Sequence, residues 1–147
     1  MRKARSLIGE ARMVVETCAG MQLRMAERLV SRFLEAQLQK AGLSFAQFSL
    51  MAQIAAARDD TVNALAERMG LDQSTLSRNL QALERLGLVE IVVAETDLRR
   101  RAVWLTETGV RRLQAALPVW REAQALIDDA MDVTKIRRIA AQANSLG

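Results

Sequence analysis

Arg99, Arg100 and Arg101 stand back to back between two short apolar runs, in the stretch EIVVAETDLRRRAVWLTETG over residues 90–109. A guanidinium is a planar fork of donors that fits a phosphate or the edge of a guanine, where an ammonium offers only a point charge. A second set has the same character. Gln73, Ser74, Ser77, Arg78 and Gln81 are short or fork-ended hydrogen-bonding side chains at i, i+1, i+4, i+5 and i+8, which is one side of a helix. Such groups bind and discriminate; they do not move protons or attack carbonyls.

The remaining inventory excludes most catalysis. The chain has no His, no Tyr and one Cys, Cys18, so His-based triads, His-ligated metals and an intramolecular disulfide are ruled out. The acidic pairs Asp59–Asp60 and Asp128–Asp129 are adjacent in sequence, and neighbours on a helix point about 100° apart, so neither converges on a site. We expect no enzyme, no catalytic residues, no metal and no cofactor. Cys18 is a candidate redox residue, although a free Cys is more often a small buried hydrophobe.

Charge is unevenly placed. The formal net charge is +4. Arg2, Lys3, Arg5 and Arg12 oppose only Glu10 at the start, Lys135, Arg137 and Arg138 are unopposed at the end, and the chain between is net acidic. Nucleic-acid binding through the middle must therefore rest on where individual arginines point. With 3% aromatic residues there is no stacking platform for single strands. At 147 residues, half of them apolar, one domain or one core with appended helices is feasible. No apolar run approaches the roughly 20 residues that span a bilayer, and no signal-peptide pattern opens the chain, so a cytoplasmic protein without a membrane partner is expected.

The elements that must position these groups read mostly helical. Met21, Met25, Leu29, Phe33 and Leu38 recur at helix-like spacing, with Gly42 as a stop. Ser44 caps a second helix with Phe45, Phe48, Met51, Ala52 and Ala55 on one face; Thr61 caps a third, ended by Gly70; Asp72 caps a fourth, ended by Gly87, with Leu76, Leu80, Leu83 and Leu86 inward. LVEIVV and AVWL read as two strands around a polar loop, AETDLRRR. Thr106 starts a long helix whose Leu113, Leu117, Trp120, Gln124, Ile127 and Met131 form a seam for another helix, with a kink expected at Pro118. A last helix runs from about Val133 to Ala143.

The third and fourth helices meet at the tight turn MGLD, where the small Ala66 allows a close crossing. This is a helix-turn-helix, whose second helix is offered to the major groove. The hairpin that follows is a wing, with its arginines beside the duplex. Strand alternation puts Arg99 and Arg101 on one face and Arg100 on the other.

LAERMGLDQSTLSRNLQALERLGLVE followed by TDLRRRAVWLTETG resembles the winged helix of the MarR family of bacterial transcriptional regulators. The shared features are an S-T-L-x-R recognition helix, an L-E-x-x-G-L-V exit, a D-x-R wing tip and an L-T-x-x-G return. The resemblance implies a mainly α fold with a small two- to three-stranded β wing. It divides the chain into an arm and dimerisation helix over 1–42, the DNA-binding unit over 43–109 and C-terminal dimerisation helices over 110–147.

By that resemblance Ser74, Ser77 and Arg78 meet bases and phosphates, flanked by Gln73 and Gln81. Asp97 orients Arg99 into the minor groove, while Leu98 departs from the usual small or polar residue between the pair; strand alternation adds Arg101, on the same face as Arg99, as helper. The implied function is a ligand-responsive repressor, a homodimer on a pseudo-palindromic operator in double-stranded DNA. Trp104 and Trp120 are candidates to line a cleft for a small phenolic or carboxylate-bearing inducer, or else plain core anchors. Two alternatives remain: a thiol-based sensor centred on Cys18, and a winged-helix module for protein association that binds no DNA.

Overall fold

The computed structural model describes residues 2–57, 61–94 and 97–146, and the side chains of 6–57, 61–93 and 101–146. Its order is α1 (Arg2–Thr17), α2 (Ala19–Leu38), α3 (Phe45–Ala56), α4 (Val62–Met69), α5 (Gln73–Arg85), β1 (Val89–Ala94), β2 (Asp97–Leu105), α6 (Glu107–Ala130) and α7 (Val133–Ala143), with short 3-10 turns at Gln39–Ala41 and Asn144–Leu146.

The caps follow directly from residue type. Ser44 accepts from the Gln47 N–H while the Gln47 side chain accepts from the Ser44 N–H, a reciprocal capping box. Thr61, Asp72 and Thr106 each accept from the backbone N–H three residues on. Glu35 ties α2 to the start of α3: its carboxylate accepts from the Phe45 N–H at 2.6 Å and from Gln39 Nε2 at 2.8 Å. The Phe45 N–H foremost, then Gln39, holds that carboxyl below its ordinary value.

α3 is the hub, and it touches α2, α4, α5, α6 and β2. Phe48, Leu50, Met51 and Ile54 are buried on several of its sides, so the single apolar face expected from Phe45 to Ala55 is too narrow; Ala55 is exposed. Leu65, Leu76, Leu80, Leu83, Leu88, Val89 and Val103 complete the main core. A smaller core of Leu34, Ala123 and Ile127 joins α2 to α6.

The structure corrects several expectations. The N-terminal arm is a helix, α1, whose described side chains before Cys18 are all exposed. Leu86 does not extend the inward stripe of α5; it is the C-cap residue and 58% exposed, because the chain leaves the helix there for Gly87. The α6 seam is largely used within the chain: Leu113, Leu117 and Trp120 pack into the main core and Ile127 against Leu34. Exposed apolar residues lie, among other places, on α1, the first half of α2 (Met21, Met25, Leu29), at Leu126 and on α7 (Ile136, Ile139).

β1 and β2 form an antiparallel pair in which Val89 faces Leu105 and Val93 faces Arg101, with a register irregularity after Val93. The loop expected over AETDLRRR is therefore shorter, since residues 97–101 already belong to β2. An isolated bridge from Thr61 to Ala102 supplies the trace of a third strand.

Candidate nucleic-acid interface

Helix α4 ends at Gly70, whose φ of 61° is left-handed and whose N–H reaches back to α4 carbonyls. Leu71 N–H donates to the Ala66 carbonyl at 3.1 Å, so the chain reverses within two residues and α5 begins at Gln73. Leu76, Leu80 and Leu83 are buried. At roughly 2 kcal/mol for each buried leucine, against about 1 for a net hydrogen bond, they decide which side of α5 faces in. The opposite side presents Gln73, Ser74, Arg78 and Gln81 exposed, with Ser77 half-buried. The structure thus brings these five predicted residues onto one outward row.

Two features of that row were not read from the sequence. The Asp72 carboxylate accepts from Ser74 Oγ at 2.6 Å, from the Thr75 N–H at 2.8 Å and from Thr75 Oγ1 at 2.8 Å. These bonds, the Ser74 hydroxyl first, hold the carboxyl well below the ordinary carboxylate range. Thr75 gives its one hydroxyl proton to Asp72, so its lone pairs are free to accept Arg78 Nη2–H at 3.4 Å. A negative charge therefore already sits at the helix start, where the dipole alone would favour phosphate. Across the turn, Gln73 Nε2 donates to Asn63 Oδ1 of α4 at 2.9 Å. The N-cap of Asp72 was visible in the sequence, and the three-residue spacing of Thr75 from both Asp72 and Arg78 was a signal for its role; Asn63 gains its role from the crossing of α4 and α5.

In the wing, Arg101 is half-buried and its backbone is paired with Val93. The backbone of Asp97, Arg99 and Arg100 lies in β2, but their side chains, and Asp59, Asp60 and Glu95 entirely, lie outside the described residues. The wing returns through a tight joint. Thr106 Oγ1 donates to the Gly87 carbonyl at 2.6 Å, Thr106 N–H donates to the Leu88 carbonyl at 3.1 Å, and Gly109 N–H donates back to Thr106 Oγ1. Gly109 presses on the same Leu88 carbonyl, so closely that a Cβ there would overlap its oxygen.

Trp104 and Trp120 are not brought together. Trp104 is 39% exposed opposite Glu90, to whose carboxylate its Nε1–H donates at 3.2 Å. Trp120 stacks on Phe48, ring centroids 6.2 Å apart, where it packs against both cores. An open groove of about 500 Å³ lies between α2, α3 and the turn of the helix-turn-helix, lined among others by Glu27, Arg32, Glu35, Phe45, Leu71 and Asn79 and by neither tryptophan. Cys18 is a half-buried free thiol at the break between α1 and α2. Among the described residues no cluster of metal-ligating side chains occurs, and no helix is long and apolar enough to cross a membrane.

Residues 41–100 match the family model described as MarR family. The transcriptional regulator MosR of M. tuberculosis, solved in complex with DNA, is 34% identical, with a TM-score of 0.79 over 88% of this chain and 95% of that one. The transcriptional regulator HosA of Escherichia coli O127:H6 is 33% identical over 100 residues, 68% of each chain. An uncharacterised HTH-type transcriptional regulator of Bacillus cereus is 35% identical over 81 residues, 55% of this chain and only about half, 53%, of its own length.

Proposed function

Because the chain belongs to the MarR family, we propose that it is a DNA-binding transcriptional regulator, not an enzyme, that recognises double-stranded DNA by sequence. The observation that carries this is the outward row of Gln73, Ser74, Ser77, Arg78 and Gln81 on the second helix of a helix-turn-helix. A surface built to dock a protein would expose large apolar side chains there; this one exposes amides, hydroxyls and a guanidinium.

The protein acts as a homodimer, and the apolar surface of Met21, Met25, Leu29, Leu126, Ile136 and Ile139 supports that, being distinct from the DNA-facing row. Two recognition helices about 34 Å apart then enter successive major grooves of a pseudo-palindromic operator. Asp97 orients Arg99 toward the minor groove and Arg101 assists. A phenolic or carboxylate-bearing inducer shifts the dimer toward a spacing that no longer fits, so the regulator represses in its absence.

The test uses duplexes selected from a randomised library by the wild-type protein. Arg78→Ala should cost about 1–3 kcal/mol on the selected duplex and relax its sequence preference. Equal losses on selected and random duplexes would sink the base-contact role. Affinity that does not fall with added salt would sink duplex binding altogether.

A further inference from the structure

The bond from Gln73 to Asn63 joins two different helices, ten residues apart, on the exposed lip of their crossing. The backbone beneath it is fixed, since Val62 beside Asn63 is 4% exposed and Leu76, one turn beyond Gln73, is fully buried. Gln73 is the first residue of α5, and the first residues of a recognition helix are those that reach base edges. We infer that Asn63 is a positioning residue that holds Gln73 for an adenine, so that α4 and α5 together read one A·T pair in each half-site. The inference rests on the proposal that the chain binds duplex DNA.

The chemistry is a matter of counting hydrogens. The Gln73 amide has two N–H groups and a carbonyl oxygen. One N–H is committed to Asn63, which leaves one donor and one acceptor. Adenine offers the complement in the major groove, an acceptor at N7 and a donor at N6, whereas guanine offers two acceptors. An unrestrained glutamine loses much rotamer freedom when it is ordered on a base; a bond made before binding removes part of that loss. Asn63 itself need not touch DNA.

The experiment takes the duplex selected by the wild-type protein and replaces each adenine in turn by 7-deazaadenine, which lacks the N7 acceptor. One position per half-site should cost the wild-type protein about tenfold in affinity. For Asn63→Ala, which should melt at the wild-type temperature because Asn63 is exposed, that penalty should shrink to about twofold or less. Asn63→Asp keeps an acceptor oxygen for Gln73 and should retain the full penalty while binding all duplexes more weakly. In a Gln73→Ala background Asn63→Ala should add nothing. An undiminished penalty in Asn63→Ala, or additive losses in the double variant, would overturn the positioning role while leaving DNA binding intact. A wild-type protein that selects no duplex from the library would instead overturn the functional proposal, and this inference with it.

Discussion

Gly109 shows how a single residue is dictated by what it touches. Its backbone lies against the Leu88 carbonyl with no room for a Cβ, and that carbonyl cannot move freely because it also accepts from Thr106. Gly109→Ala should therefore destabilise the fold by about 2 kcal/mol or more, as overpacking against a rigid neighbour does. Urea titration followed by circular dichroism checks this; a loss below about 0.5 kcal/mol would mean that the joint yields. The glycine of the L-T-x-x-G return was legible in the sequence as a motif, but its reason was not. The contact joins residues twenty-one apart, and no local pattern encodes it. The same holds for Asn63, an ordinary polar residue in isolation that matters because Gln73 of the next helix lies within hydrogen-bond reach.

Among the elements, what could be read in advance was what is local. Ser44, Thr61, Asp72 and Thr106 were identified as caps because the capping bond spans three residues, and each helix begins where they place it. The extension of β2 over residues 97–101 was missed since it depends on pairing with β1, at Val93–Arg101 and Ala94–Asp97, and not on residue propensity. Helix α1 was missed for a related reason: no cap or acidic first turn marks it. The cap of α5 also sets a pH dependence. Its carboxyl is depressed in the folded state, so its contribution is fully present above the unfolded value of about 3.9 and is lost as pH falls from there toward the folded value. Wild-type protein should melt higher than Asp72→Asn at neutral pH, and the gap should narrow steadily below about pH 4. A gap constant down to pH 2.5 would show that the cap acts through geometry and not charge.

At the scale of the whole molecule, two apolar systems divide the work. The cores around α3 and between α2 and α6 are satisfied within one chain, whereas Met21, Met25 and Leu29 are left on the surface, Leu29 at 56% exposure. Leu29→Glu should leave the helical content unchanged. On the proposed homodimer it should raise the dissociation constant roughly a hundredfold or more, since an unpaired buried charge costs several kcal/mol. Light scattering across a concentration series reads the outcome, and an undisturbed dimer would move the interface elsewhere. The joint at Thr106 and Gly109 has a further consequence at this scale. It fastens the root of the wing to the first turn of α6, and α6 runs from there to Ala130 beside α2. The wing is in effect the short arm of a lever whose long arm is α6. On the proposed DNA-binding reading, a tilt of α6 against α2 that loads this joint is carried into the root of the wing, so the packing of the long helices and the pose of the wing are coupled there.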